Sequence, residues 1–263
     1  MTRPSLDEIL AAARRRAGAL AGRRRELEAG AAGAPPPLAL GRSPGGSVGV
    51  IAEVKRRSPS AGEIRTELDA EAHGRAYVAG GAAAISVLTD EAYFGGSLDD
   101  LAAVARAVAV PVLRKDFIVD ELQLLEARMA GASIVLLIVR ALTPTALRAL
   151  AAAGRGLGLA TLVEVHEEGE LDLALSVAPS AVGVNSRNLA TYAVDLTTAE
   201  RLVAAVPPGL LAVAESGVET RADVERLAAA GADFVLVGTS VVRSPDPAAA
   251  VRALVGVPRR TRE

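Results

Sequence analysis

The stretch "MAGASIVLLIV", residues 129–139, joins the end of a helical pattern to a run that is apolar from Ile134 to Val139. A glycine and a small residue separate the two parts. The same device recurs as "VAGGAAAISVL" and "AAGADFVLVG", and Gly80, Gly131 and Gly231 mark the three copies at intervals of roughly 50 and 100 residues. A β–α unit repeated in this way predicts a (β/α)8 TIM barrel with an extra N-terminal helical segment.

Outward from this stretch, short apolar runs alternate with helical patterns along the chain. Near-continuous apolar runs are typical of parallel strands that are buried on both faces. The alternative is a doubly wound open sheet, but no G-x-G-x-x-G motif follows the first predicted strand, and "GLGLA" lacks the final glycine. The eight predicted strands are residues 48–54, 83–88, 111–114, 133–139, 159–164, 181–184, 210–214 and 234–237.

The composition limits the kind of protein this can be. The length of 263 residues suits one undivided barrel. Hydrophobic residues make up 51% and aromatic residues 2%, so the core must consist of Ala, Val, Leu and Ile. A net charge of −2 gives no overall attraction to nucleic acid or acidic membranes, and the absence of cysteine excludes disulfides and thiolate sites. With no apolar run long enough for a membrane span and no signal sequence, we expect a soluble, cytoplasmic protein.

The N-terminal region has a different pattern. Residues 5–29 are predicted to form one helix, which starts at a capping box of Ser5 and Glu8. Arginine triplets at 14–16 and 23–25 are typical of a solvated helix face, with a basic patch for phosphate as the alternative. The predicted parts of the single domain are the helical extension with its Gly/Pro-rich connector, residues 1–47, and the barrel, residues 48–263.

Polar residues end most of the predicted strands. In a (β/α)8 barrel the active site forms at the carboxyl ends of the strands, and side chains alternate between the two faces of a strand. Lys115 is in phase with Leu113, and Glu164 is in phase with Leu162. Lysines and carboxylates together can supply acids and bases, so the set favours a catalytic cluster over ordinary polar loops. The strand-end residues are Glu53, Lys55, Lys115, Glu164, Asn185, Arg187 and Glu215.

Two glycine-containing loops predict a phosphate site. "AESGV" ends the seventh strand and "LVGTSVV" ends the eighth, and their small residues let backbone N–H groups approach an anion. A short helix that starts near Thr239 would add its positive end. Loops after the seventh and eighth strands form the usual phosphate site of such barrels. The candidate phosphate residues are Ser216, Gly217, Gly238 and Thr239.

The few aromatic residues and histidines have simple interpretations. Phe94 and Phe117 follow the second and third strands, where they could wall an aromatic ligand; loop packing is the alternative. His73 is expected to be a surface or packing residue, and His166 is expected to begin the helix after the fifth strand. Two distant histidines and no H-E-x-x-H motif predict no metal site.

Seven motifs are spread along nearly the whole chain, in this order: "IAEVKRRSPSAGEI", "SVLTDEAYFGGSLDDL", "PVLRKDFIVDELQLLEARMAGA", "LVEVH", "GVNSRNL", "AESGV" and "FVLVGTSVVR". In sequence and in order they resemble the indole-3-glycerol phosphate synthase family of tryptophan biosynthesis. The N-terminal helix is similar to the family's extra segment, which helps to close over the substrate. The family often has Asn where Ser186 stands and Ser where Thr239 stands. Neither difference removes a backbone donor or a hydroxyl from the predicted sites.

The resemblance implies a carboxy-lyase that acts on 1-(2-carboxyphenylamino)-1-deoxyribulose 5-phosphate. Ring closure, decarboxylation and dehydration of this substrate give indole-3-glycerol phosphate, CO2 and water without a cofactor. The implied partner is this small phosphosugar–anthranilate molecule, with no nucleic acid or membrane. A monomer is expected, and an oligomer stays open.

The resemblance also implies residue roles. Lys115 is similar to the family's general acid, Lys55 to its second catalytic lysine, and Glu164 to the group that manages protons in the dehydration. The other implied catalytic residues, which orient the lysines, position the substrate and shape the electrostatics, are Glu53, Asn185 and Glu215. The implied substrate-binding residues are Ser58, Phe94, Phe117, Arg187 and Leu189, and Lys55 joins the four phosphate residues.

Two other functions stay open on the residues alone. A Schiff-base aldolase on the same fold would use Lys115 as a nucleophile instead of an acid. A phosphate-ligand binding protein without activity would keep binding and lack turnover. Phosphoribosylanthranilate isomerase usually relies on a cysteine, and this chain has none.

Overall fold

A computed structural model describes residues 4–188 and 191–262, and in them eight parallel strands close into a barrel. Each strand pairs with the next along the chain, and the last pairs with the first, with Gly49 opposite Phe234. Every strand end lies within one residue of its predicted position, so the barrel prediction is confirmed. The barrel strands are β1 (Gly49–Val54), β2 (Ala84–Leu88), β3 (Val112–Lys115), β4 (Ile134–Ile138), β5 (Ala160–Val165), β6 (Ala181–Asn185), β7 (Leu211–Glu215) and β8 (Phe234–Val237). Outside the barrel, Arg57–Ser58 and Gly62–Glu63 pair as a short antiparallel hairpin.

Helices cover the outside of the barrel, and two more precede it. Most of them begin at a Ser, Thr or Asp whose side chain accepts a hydrogen bond from a backbone N–H of the first turn, as Asp120 does for Leu122. The helices are α1 (Leu6–Ala19), α2 (Arg24–Gly33), α3 (Ala70–Ala79), α4 (Glu91–Phe94), α5 (Leu98–Ala107), α6 (Glu121–Met129), α7 (Pro144–Gly156), α8 (Leu171–Ser176), α9 (Leu196–Ala205), α10 (Arg221–Ala229), α11 (Thr239–Arg243) and α12 (Pro247–Arg252).

The repeated glycine ends a helix in a left-handed conformation. Gly81, Gly131 and Gly231 have φ angles of 99°, 90° and 95°. Residues that carry a Cβ rarely adopt this backbone conformation. Gly80, chosen from the sequence as the first copy, has instead an ordinary helical φ of −78°. The choice of Gly80 was therefore wrong by one position, because the turn needs its freedom of φ at Gly81.

Alternate strand residues face the barrel interior. One core cluster fills the interior with Ile51, Leu113, Leu162 and Leu236, and a separate cluster packs the outer strand faces against the helices. Because strand side chains alternate, polar residues two positions further along the same strands point into the mouth of the barrel. The interior packing thus fixes which side chains can form a site.

The N-terminal region forms two helices, not the single helix predicted over 5–29. The capping box at Ser5 is present, but α1 ends at Ala19 and a short turn leads into α2. Gly18 and Gly22 flank the break, and glycine is a poor helix former. The turn also lets buried Leu20 and Leu27 pack together against α6.

The connector after α2 runs to the amino-terminal end of the barrel. The Leu38 N–H donates to Ser133 Oγ at 3.1 Å, and Arg42 Nε lies 2.8 Å from Asp233 Oδ1. Within the part of the chain that the structure describes, no helix has the length and apolarity needed to cross a membrane.

Candidate active site

A pocket opens at the carboxyl ends of the strands, beneath α1. Every predicted site residue that the structure describes lines it, while Leu189 lies outside the described residues. The predicted residues that line the pocket are Glu53, Lys55, Ser58, Phe94, Lys115, Phe117, Glu164, Asn185, Arg187, Glu215, Ser216, Gly217, Gly238 and Thr239. The geometry brings these residues together; their individual roles remain predictions.

Lys115 lies between two buried carboxyl groups. Its Nζ is 3.2 Å from Glu164 Oε2 and 3.2 Å from Glu215 Oε2. Burial favours the neutral amine, but the charges of Glu164, Glu215 and Glu53 outweigh it and raise the pKa of Lys115 above its ordinary value. Lys115 is therefore an ammonium ion at neutral pH.

The two carboxyl groups differ in charge. Burial opposes ionisation of Glu164, but Lys115, His166 and a hydrogen bond from Asn185 together lower its pKa. Burial, reinforced by the charge of Glu164, raises the pKa of Glu215 to about 8 against the attraction of Lys115. Near neutral pH the group is thus an ammonium, a carboxylate and a carboxylic acid, which can both donate and accept protons.

Gly183 on β6 makes space for the Glu215 side chain. A Cβ atom at this position would overlap Glu215 Oε1. The small residue therefore allows the carboxyl group to lie across β6 and reach Lys115.

Glu53 and Lys55 form a second pair at the end of β1. Lys55 Nζ donates to Glu53 Oε1 at 2.7 Å, and Ser86 Oγ donates to Glu53 Oε2 at 3.4 Å. A Cβ at Gly238 would lie 2.7 Å from Glu53 Oε1 and 2.8 Å from Lys55 Nζ. The ammonium of Lys55 therefore sits against the loop after β8, which is one of the two predicted phosphate loops.

The other phosphate loop, after β7, has an unusual backbone. Ser216 and Gly217 have φ angles of 66° and 76°, and such a conformation costs a non-glycine residue about 1 kcal/mol or more. Ser186 Oγ lies 3.1 Å from the carbonyl oxygen of Glu215 and 2.9 Å from that of Ser216, within donating distance of both. The helix predicted to start near Thr239 is present as α11.

Phe94 and Phe117 form an aromatic pair in the wall of the pocket. Their ring centroids are 6.4 Å apart with planes tilted by 35°. Asp90 caps the helix that carries Phe94, and the Asp116 carboxylate accepts from the Phe117 N–H at 2.8 Å. The ring positions therefore depend on two buried aspartates.

Arg16 connects these aspartates to the N-terminal helix. Its Nη1 lies 2.8 Å from Asp90 Oδ2, and its Nη2 lies 3.0 Å from Asp116 Oδ1. The solvated face predicted for the first arginine triplet describes the exposed Arg14 and Arg15, but it is wrong for Arg16. The phosphate patch is also wrong for Arg16, whose guanidinium is occupied by carboxylates.

The two histidines lie in different environments. His73 is a buried packing residue, with its ring edge-on to Tyr77 at 5.9 Å. His166 does not begin a helix as expected; it lies between β5 and a short turn over Glu168–Glu170. Its ring is buried, and Nε2 is 3.3 Å from Glu164 Oε1.

Several pocket residues were missed from the sequence. Leu6 and Ile9 come from α1 and cover the mouth, a placement that no local pattern reveals. Asp90 comes two residues after β2 and Asp116 directly after β3, so the rule of polar strand ends could have found them. The further missed lining residues are Pro59, Ser60, Leu88, Leu136, Ile138, Tyr192, Val218, Glu219 and Leu236.

Solved structures with the same fold include enzymes that differ strongly in sequence. 3-Hexulose-6-phosphate synthase from Salmonella typhimurium has a TM-score of 0.64 at 15% identity, covering 79% of this chain and 96% of that one. Thiamine phosphate pyrophosphorylase from Pyrococcus furiosus has a TM-score of 0.60 at 16% identity, covering 79% and 93%. At such identities the likeness concerns the fold alone.

Sequence relatives are much more similar. Proteins named indole-3-glycerol phosphate synthase from Mycobacterium avium and a Nocardioides species are each 52% identical to this chain. The match to the Mycobacterium avium protein covers 88% of this chain and 85% of that protein. The match to the Nocardioides protein covers 84% of each. The family model described as indole-3-glycerol phosphate synthase matches residues 35–254. This chain therefore belongs to the indole-3-glycerol phosphate synthase family.

Proposed function

We propose that this chain converts 1-(2-carboxyphenylamino)-1-deoxyribulose 5-phosphate to indole-3-glycerol phosphate, CO2 and water. Membership of the family supports the reaction. The observation that carries the assignment of residues is Lys115, an ammonium held 3.2 Å from both Glu164 and Glu215 at the carboxyl end of the barrel. The proposed partner is this small substrate alone, because a net charge of −2 gives the chain no overall attraction to nucleic acid.

The first step is ring closure. The ring carbon that bears the carboxylate attacks C2 of the ribulose, and the carbonyl oxygen takes a proton from Lys115 as the C–C bond forms. The raised pKa of Lys115 keeps the amine protonated until the carbonyl oxygen takes this proton, and the neutral acid Glu215, 3.2 Å away, can then give its own proton to the amine. Loss of CO2 then restores the aromatic ring, because the electrons of the broken bond return to it.

The last step removes water. The hydroxyl on C2 leaves as water once it is protonated. Loss of a proton from C1 then forms the double bond between C1 and C2, which completes the five-membered ring of indole. Glu164 and Lys55 carry these two proton transfers, since one is a buried carboxylate with a lowered pKa and the other a half-buried amino group that donates to Glu53. General acid–base groups typically contribute about 10²–10⁴-fold each.

Both ends of the substrate have a place in the pocket. The paired rings of Phe94 and Phe117 offer an apolar surface on which the anthranilate ring can pack. The loops after β7 and β8, with Lys55 beside them, receive the phosphate. Ser58, Arg187 and Asn185 also line the pocket and complete the binding set. Folding the substrate between two fixed ends brings the reacting carbons together.

A fluorescence assay for indole-3-glycerol phosphate tests the proposal. The purified chain should turn over the substrate, and Lys115→Ala and Glu164→Gln should each lower kcat by about 10²-fold or more. Lys115→Arg is the matched variant, because arginine keeps the positive charge but does not release a proton in proteins. It should remain folded and almost inactive. Full activity in either Lys115 variant would refute the acid assignment.

The Schiff-base alternative is tested by trapping. A nucleophilic lysine must be a neutral amine, which the raised pKa of Lys115 opposes. The chain has two lysines, Lys55 and Lys115, so borohydride treatment with substrate followed by mass spectrometry reports on both. We expect no adduct on either.

A further inference from the structure

His166 is a buried side chain to which the proposed reaction assigns no role. Its ring lies between two carboxylates: Nε2 is 3.3 Å from Glu164 Oε1, and Nδ1 is 3.8 Å from Glu170 Oε2. The side chain is 3% exposed, so solvent does not take the place of these contacts. A buried polar ring of this kind costs free energy unless its partners compensate.

The two oxygens of the Glu164 carboxylate have different neighbours. Lys115 Nζ lies beside Oε2, on the pocket side, while the ring of His166 lies beside Oε1. A carboxylate with a cation at one oxygen can turn about its last bond, but a contact at each oxygen fixes the plane. Lys115 on β3, Glu215 on β7, Asn185 on β6 and His166 after β5 are the charged and polar groups that face Glu164.

His166 is itself held from behind. The His166 backbone N–H donates to Glu170 Oε2 at 2.6 Å, and Arg140 Nε donates to Glu170 Oε1 at 2.8 Å. Burial opposes ionisation of Glu170, but the bonds from His166 and Arg140 lower its pKa to about 2. A permanent carboxylate therefore supports the ring on the side away from Glu164.

We propose that His166 is a positioning residue that fixes the Glu164 carboxylate in the orientation that faces Lys115 and the substrate. The role rests on the proposed function, because it deepens the part assigned to Glu164. His166 does not line the pocket, so it acts on the reaction through Glu164 alone.

The first test needs no turnover. The chain contains two histidines, so ring signals of ¹³C- or ¹⁵N-labelled histidine in an NMR spectrum come from His73 and His166, and His73→Phe assigns them. In Glu164→Gln the His166 signal should move, and that of His73, which packs on Tyr77 outside the barrel, should stay. An unchanged His166 signal would overturn the contact.

The second test is kinetic. His166→Phe keeps the volume of the ring and removes both nitrogens, and kcat should fall about tenfold with KM within about twofold. Because His166 contributes to the lowered pKa of Glu164, its removal should move the acidic limb of the kcat profile to higher pH. His166→Gln restores an N–H at this position and should recover part of kcat. His73→Phe is the matched control and should behave as wild type.

The outcomes separate the inference from the function. A wild-type protein without turnover would sink the proposed reaction, while the NMR comparison would still decide whether His166 and Glu164 interact. An active wild type whose His166→Phe variant matches His73→Phe in kcat and pH profile would overturn the positioning role. A fall in kcat with an unmoved acidic limb would also overturn it, since a purely structural loss predicts that result.

Discussion

Replacement of Arg16 by alanine tests how the N-terminal helix supports the site. Arg16 contacts Asp90 and Asp116 at 2.8 and 3.0 Å, and these side chains are 0% and 1% exposed. The substitution leaves a buried carboxylate at Asp90, whose side chain keeps, among the residues that the structure describes, the hydrogen bond from the Tyr93 N–H. Asp116 keeps its contacts with Arg114 and Thr89. The loss therefore falls mainly on Asp90.

The expected cost follows from the burial of the groups. Removing one partner of a fully buried ion pair costs about 3–5 kcal/mol. The Arg16 side chain is 34% exposed, so water reaches its place and screens part of the loss. We expect the free energy of unfolding to fall by about 2 kcal/mol, which at a urea slope of about 3 kcal/mol/M lowers the midpoint by about 0.7 M.

Activity should change in a specific way. Asp90 and Asp116 hold the segments of Phe94 and Phe117, so loosening them weakens ring binding. A loss of about 1 kcal/mol in aromatic contact corresponds to a rise in KM of about fivefold, with kcat little changed.

Urea unfolding followed by circular dichroism measures the first effect, and steady-state fluorescence assays measure the second. Arg15→Ala is the matched control, because Arg15 is the exposed neighbour on the same helix. Its midpoint and KM should equal those of wild type. If Arg16→Ala behaves like Arg15→Ala in both measurements, the reasoning from the two aspartates is refuted.

Three further predictions concern the loops and carboxyl groups of the site. Glu215 has a raised pKa of about 8, so its contribution to the free energy of unfolding is fully present below its ordinary pKa and is lost as the pH rises through 8. Glu215→Gln should therefore make the free energy of unfolding fall less steeply with pH. Equal slopes in the variant and the wild type would contradict this. Gly183→Ala should displace Glu215 and lower kcat about tenfold with an unchanged far-ultraviolet spectrum; wild-type kcat would count against the overlap. Ser216→Gly should raise the unfolding free energy by about 1 kcal/mol by relieving its left-handed φ, and a lower value in urea titrations would argue against strain there.

The fold and the pocket could be predicted because their signals are local. A strand has a period of two, so the phase of Lys115 with Leu113 and of Glu164 with Leu162 is enough to turn both side chains inward. The rarity of lysine is a second signal. The chain has 29 basic residues, two of them are lysines, and both lysines line the pocket. All the remaining basic residues are arginines, which keep their proton. A lysine in such a chain therefore indicates a position where an amine that can release a proton is needed.

What could not be predicted depends on contacts between distant residues. Arg16 looks like Arg14 and Arg15 in the sequence, and its partners come from loops about 75 and 100 residues further on. The place of His166 depends on a side-chain conformation that turns its ring towards Glu164, which no spacing specifies. The helix break near Leu20 needed knowledge of the surface on which α1 and α2 pack.

Closure of the barrel by β1 and β8 has a consequence for synthesis of the chain. β1 emerges from the ribosome long before β8, and at about 5–20 residues per second the interval lasts roughly 10–40 s. During that time one edge of β1, a strand whose residues are all buried in the finished barrel, has no partner, and such an edge can pair with other chains. The open edge of β1 therefore remains a hazard for aggregation until the eighth strand has been made.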